Sequence, residues 1–165
     1  MNKHSYGFAS TKLIKLAYLV ELEYYRSFGE RATDVEWVYF KYGPYVMNYQ
    51  EYLTGPLSVI KDDDRPFHRI TISHNCDCAP SNRKTTTIIE RVIAEFGDYA
   101  LDDLLDYVYF ETEPMMAARK RTDIIDFSVA LSKQEARVKE IVIDENVYQG
   151  ILDKLKKRVS GEQPL

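Results

Sequence analysis

From residue 10 to residue 28 apolar side chains recur at helical spacing, and this repeat constrains the fold more than any other feature of the chain. Leu13, Leu16, Ala17, Val20 and Tyr24 follow the i, i+3, i+4, i+7 rule and make one stripe. Lys12, Lys15, Glu21 and Glu23 fall on other faces. Ser10 and Thr11 are candidate N-caps, and Phe28-Gly29 supplies the stop, because glycine takes the left-handed conformation helix ends use. A helix of this length must bury its stripe against other elements.

Downstream, Glu36-Trp37-Val38-Tyr39-Phe40-Lys41-Tyr42 is dense in aromatic and β-branched residues and reads as a strand. Gly43-Pro44 should end it, with Pro44 opening a short helix whose stripe is Tyr45, Val46, Tyr49 and Leu53. Residues 57–80 read as a β-hairpin: an apolar run from Leu57 to Ile60, a turn at Asp62-Asp63-Asp64-Arg65-Pro66, then alternation from Phe67 to Ile72. Ser81 or Asn82 can cap a helix carrying Ile88, Ile89, Val92, Ile93 and Phe96. A further helix carries Leu101, Leu104, Leu105, Val108 and Tyr109. Pro114 interrupts that helix or begins another. Ser132-x-x-Glu135 has capping-box spacing, and a last helix is expected over 144–159 through Val147, Ile151, Leu155 and Val159. The expected fold class is mainly α with a small antiparallel β-sheet (α+β), a compact helical domain with a β-hairpin insertion. At 165 residues the expected organisation is one domain over 1–165.

Charge and composition exclude more than they assign. The net charge of −4 gives no overall positive field to draw the chain to nucleic acid or an anionic membrane. No apolar run approaches the ~20 residues needed to span a bilayer. With no signal-like N-terminus and only Cys76 and Cys78, too close for a disulfide framework, a cytoplasmic protein is expected. Thirteen tyrosines accompany a single tryptophan, an excess that suits half-buried faces and contact surfaces.

Reactive constellations are sparse. There is no Gly-x-Ser-x-Gly elbow, no Gly-rich phosphate loop and no His-Glu-x-x-His pair, so an enzyme is not expected and no cofactor is implied. His68, His74, Cys76 and Cys78 offer four soft metal ligands in a short stretch, but Cys-x-Cys is tighter than structural zinc spacing. A polar hairpin tip is the plainer reading. Arg119-Lys120-Arg121 and Lys154-Lys156-Lys157-Arg158 could each touch phosphate, which keeps a DNA-binding regulator as the alternative class; acidic neighbours dilute both fields. Asp102, Asp103 and Asp106 suit the positive end of a helix. The most unusual segment runs from Trp37 to Tyr45. Tyr39, Tyr42, Tyr45, Tyr49 and Tyr52 bring more phenolic hydroxyls than a small core satisfies, so several should reach the surface as recognition anchors.

Three pieces carry a family resemblance: Thr11-Lys12-Leu13-Ile14-Lys15-Leu16-Ala17-Tyr18-Leu19-Val20-Glu21, then Val38-Tyr39-Phe40-Lys41-Tyr42-Gly43-Pro44-Tyr45, then Leu101-Asp102-Asp103-Leu104-Leu105 with Glu113-Pro114-Met115. In this order and spacing the chain resembles the Panacea domain of SocA-like antitoxins, a family that includes phage-associated proteins, over about residues 8–130. The resemblance implies a cytoplasmic bacterial or phage-related module that neutralises a cognate toxin by direct binding. In one branch of the family the antitoxin also delivers the toxin to a protease. No catalytic residue is implied. The residues expected to meet a partner are Trp37, Tyr39, Tyr42, Gly43, Pro44, Tyr45 and Tyr49.

Overall fold

A computed structural model describes residues 7–53, 57–61, 68–72 and 82–130, which fall in one compact unit, Met1–Ala130. Its axis is helix α1, Ser10–Phe28, and the other described elements pack round it. The expected stripe is not the deepest face of α1. Ile14, Lys15, Tyr18, Leu19 and Leu22 are buried; of the expected stripe Tyr24 is buried too, whereas Leu13, Leu16 and Val20 are half-buried and Ala17 is exposed. Lys15, Glu21 and Glu23, expected on polar faces, are also buried. A pattern read by polarity rejects the face that carries those charges; the fold keeps it by supplying each with partners. Ala9, not Ser10 or Thr11, occupies the N-cap position, with no side-chain cap. Gly29 ends α1 as expected, at φ 70°, its N–H bonding to the Tyr25 carbonyl at 2.7 Å.

Two antiparallel sheets flank the helix. In the first, β1 (Gly7–Ala9), β4 (Leu57–Lys61) and β5 (His68–Ile72) lie in the order β1-β5-β4. The β4–β5 pairing is the hairpin expected from the alternation, with Val59 opposite Ile70. The sequence pattern missed β1, which is too short to show a period. In the second, β2 (Val38–Phe40) pairs with β3 (Gly43–Tyr45), and Tyr39 lies opposite Pro44. Pro44 therefore sits in a strand and does not open a helix; among the described residues β3 pairs on one side only, and on its other edge a missing N–H is tolerated. The expected strand over 36–42 shrinks to three residues, and a 3₁₀ turn, Tyr49–Tyr52, replaces the expected short helix. On the outer side of β2, the Tyr39 N–H donates to the Asp123 carbonyl at 2.9 Å and the Thr122 N–H to the Tyr39 carbonyl at 2.7 Å. Ile124 forms a bridge with Val38.

Asn82 caps α2 (Arg83–Phe96) by accepting from the Lys84 N–H at 2.9 Å. Ile88, Val92 and Phe96 bury its inner face. Helix α3 (Leu101–Phe110) buries Leu104 and Val108 and carries Asp102 and Asp103 in its first turn. Pro114 begins a separate helix, α4 (Glu113–Ala117). Phe127 closes the core below the ring of Tyr18, the centroids 5.7 Å apart. The fold is thus mainly helical with small antiparallel sheets, as the pattern indicated. The capping box at 132–135 and the helix expected over 144–159 lie outside the described residues.

Leu22 is fully buried at the axis, and Ile93 is exposed on α2. Leu22→Ala is expected to lower stability by about 2–5 kcal/mol, and Ile93→Ala by less than about 0.5 kcal/mol. Urea unfolding of the full chain reads both.

Candidate functional site

The three sequence pieces that carry the resemblance meet in space. From the first, Lys15 Nζ donates to the carbonyl of Pro44 in the second at 2.7 Å. Three residues on, the Tyr18 hydroxyl meets Thr112 Oγ1 at 3.1 Å, beside Glu113-Pro114 of the third. The Thr112 hydroxyl donates to the Val108 carbonyl, so its oxygen is left to accept from Tyr18. Glu113 pairs with Arg26 of α1, which also binds Glu23 at 2.8 Å. Glu23 in turn takes Arg91 of α2 at 2.9 Å. One chain of charges thus stitches α2, α1 and α4 together.

The hairpin tip is shaped by Gly43. Lys41 and Tyr42 keep negative φ, while Gly43 stands at φ 87°, the pattern of a type I turn closed by a left-handed glycine. A side chain there would be strained by φ alone. A Cβ would find room, in ordinary contact with the Tyr109 ring at 3.5 Å and Lys15 Cε at 3.6 Å, so the conformation and not crowding calls for glycine. The turn brings the Pro44 carbonyl inward to Lys15 and pushes Tyr42 outward.

Lys15 is the unusual group. It is 2% exposed, and the Pro44 carbonyl is its hydrogen-bond partner among the described residues; no carboxylate there lies within ion-pair distance. Burial pulls its pKa down from the ordinary lysine value to about 7. An ammonium has three donors, and one is used. Glu21, equally deep, is fully served: Arg31 Nε at 2.8 Å, the Ala32 N–H at 3.0 Å and the Thr33 hydroxyl at 2.6 Å all reach it.

Above Lys15 opens a cavity of about 450 Å³. Ser10 and Thr11 from the uncapped first turn of α1 form one wall, Phe40, Tyr42 and Tyr45 another, and Leu101 at the start of α3 closes the side. Phe40 stacks on Tyr45 at 5.4 Å, and Tyr45 meets Tyr49 edge-on at 5.8 Å. Burial raises the Tyr45 and Tyr109 hydroxyls above their ordinary pKa. The residues expected to meet a partner divide by depth. Trp37 and Tyr49 are core, at 5% and 9% exposure, and Gly43 and Pro44 are buried; Tyr39 and Tyr45 are half-buried. Tyr42 is 54% exposed and projects, with Phe40 beside it. The Trp37 indole N–H and the Tyr49 hydroxyl are buried without a partner among the described residues. The stripe Leu13, Ala17 and Val20 lines a second, apolar groove of about 380 Å³ with Trp37, Tyr52 and Ile89.

Sequence reasoning passed over Phe40 as an anchor and placed Lys15 away from the apolar stripe. The available signal was a lysine one residue after Ile14 and three and four before Tyr18 and Leu19, within an apolar face. Of the metal candidates, His68 lies on β5 and His74, Cys76 and Cys78 lie outside the described residues. Among the described residues no three His, Cys, Asp or Glu side chains gather as metal ligands do. Arg119-Lys120-Arg121 occupies a turn whose amides at 119 and 120 donate to the Asp123 carboxylate at 3.2 and 2.8 Å. The run is therefore not carried on a helix that could enter a groove, and the cluster at 154–158 lies outside the described residues. No helix among the described residues is long and apolar enough to cross a membrane.

Compared with known protein families, residues 13–114 match the family described as Antitoxin SocA-like, Panacea domain. The matched span includes Lys15, the β2–β3 hairpin and the Thr112-Glu113-Pro114 corner. No curated protein and no solved structure matches the chain.

The lowered pKa of Lys15 has a defined sign in stability. Between about pH 7 and pH 10 the unfolded chain keeps this proton and the folded chain has lost it. Stability is therefore expected to rise with pH across that window, by at most about 1.4 kcal/mol per unit. Lys15→Met should remove this component. Urea midpoints at pH 6.5, 8 and 9.5 for both proteins check it; equal slopes contradict the assignment.

Proposed function

The chain belongs to the SocA-like antitoxin family through its Panacea domain, and from that premise we propose that it neutralises a toxin protein by covering it, with no chemistry of its own. The observation that carries this reading is the hairpin tip. Phe40 and Tyr42 stand out from a hairpin that Gly43 and the Lys15–Pro44 bond hold against the core. Exposed aromatic rings on a rigid mount lose little entropy when a partner covers them, which is the usual make-up of an interface hot spot. A lone pair of exposed rings would be unremarkable; here they edge a cavity and adjoin half-buried Tyr39 and Tyr45.

The rest of the surface fits a basic toxin. The net charge of −4 complements a partner that approaches nucleic acid or nucleotides, and such complementarity speeds encounter more than it tightens the final complex. Trp37, Gly43, Pro44 and Tyr49 serve this reading from below, as the support that positions the exposed rings, and Tyr42 leads the contact.

The direct experiment is co-expression with the small protein encoded beside this gene, scored as rescue of growth and as co-purification. The wild type is expected to rescue and to hold the toxin. Tyr42→Ala is expected to weaken toxin binding about tenfold or more while shifting the thermal midpoint by under about 2 °C. A toxin bound equally well by Tyr42→Ala places the contact elsewhere. An adjacent product that is harmless alone removes the antitoxin reading.

A further inference from the structure

We propose that the cavity over Lys15 is a seat for a single carboxylate, and that in the complex it receives an acidic side chain of the toxin. The second half rests on the antitoxin reading; the first stands on the cavity alone. Lys15 is buried, lines the cavity and, once Pro44 is served, has two of its three donors without a partner among the described residues. The wall beside it is the first turn of α1, whose amides have no side-chain cap and whose dipole favours negative charge. Tyr49 lines this cavity and the second groove alike, and its hydroxyl is closed off from both, so the donors open to a ligand are those of Lys15 and the helix start. Unused donors on a buried ammonium call for an acceptor.

The occupant's chemistry follows from charge and shape. Two lysines line the cavity, but Lys41 is exposed, with its ammonium over the Tyr42 ring; the one buried ammonium, Lys15, balances one negative charge, which selects a carboxylate over a phosphate dianion. The remaining wall is largely rings and aliphatic carbon, so the carboxylate arrives on an apolar or flat stem. Phe40 and Tyr42 at the edge then close round that stem and exclude water from the ion pair, which strengthens it. With the Pro44 carbonyl beside it, the amine is about half-protonated at pH 7. A carboxylate restores the charge, and the two groups pair at a depth where neither would be stable alone.

Phenylacetate is the probe, with phenylacetamide as its uncharged twin and inorganic phosphate as the competing anion. Calorimetry and amide NMR on the full chain at pH 7 are expected to show phenylacetate binding, with shifts centred on Thr11, Lys15 and Tyr42. Phenylacetamide should bind at least about tenfold more weakly, and equimolar phosphate should not displace the acid. Equal binding of acid and amide, no binding, or displacement by phosphate each overturns the carboxylate seat. That comparison uses the wild type, so it holds even if a variant fails to fold. Lys15→Met is expected to abolish acid binding and, in the co-expression assay, to lose rescue. Rescue by Lys15→Met equal to wild type overturns the acidic-anchor role and leaves the antitoxin reading standing. Failure of the wild type to rescue sinks that reading, and the seat is then judged on the acid–amide comparison.

Discussion

Helix α1 takes one lysine and two glutamates into the interior, and the arrangement of the described elements answers the need to satisfy them. Removing a charge from water is tolerated only when partners replace the water. Glu21 draws in the 31–33 segment through Arg31, Ala32 and Thr33. Glu23 draws in Arg91 of α2 and, through the shared Arg26, Glu113 of α4. Lys15 draws in the β2–β3 hairpin by the Pro44 carbonyl. Lys12, nearer the surface, ties α1 to the α2–α3 link by donating to the Gly97 and Tyr99 carbonyls at 2.7 and 2.8 Å. The apolar core supplies the bulk of the driving force, and these bonds decide which segment lies against which side of the helix.

The three partnerships are not equivalent. The carboxylates are saturated with donors, which makes them structural. Lys15 is not, because a backbone carbonyl accepts without carrying a full opposite charge. A buried cation held by one carbonyl is a costly element for a scaffold and a reasonable one for a receptor, where the missing charge comes from outside. Its neighbours point the same way: the helix start beside it has no side-chain cap, and the turn on the other side is set by a left-handed glycine. The rings of Phe40 and Tyr42 are held at the mouth by the same turn that seats Pro44. A single local geometry therefore sets both the floor and the rim.

Much of the helical scaffold was legible from periodicity and capping chemistry. α1, α2 and α3 begin and end close to where the pattern places them, because Gly29, Asn82 and Gly97 leave few alternatives. The β4–β5 hairpin was legible for the same kind of reason, since alternation over five residues has only one comfortable backbone. Failures occur where an element is too short for a period, as in β1, or where one residue has two conformational uses. Pro44 suits the start of a helix as well as a free strand edge; pairing with Tyr39 decided the matter.

What the residues alone determine is the set of local structures and the family, because both depend on spacing along the chain. Lys-Leu-x-Tyr-Leu, Lys-Tyr-Gly-Pro and Glu-Pro are recognisable without knowing why they travel together. The tertiary structure supplies the reason: Lys15 reaches Pro44, Tyr18 reaches Thr112, and Arg26 reaches Glu113. It also decides which tyrosines are core and which project, and turns a lysine that reads as a solvated charge into the floor of a cavity. Burial is a property of what lies opposite a side chain, and contacts between residues 29 to 94 positions apart are invisible to any rule that reads neighbours in sequence.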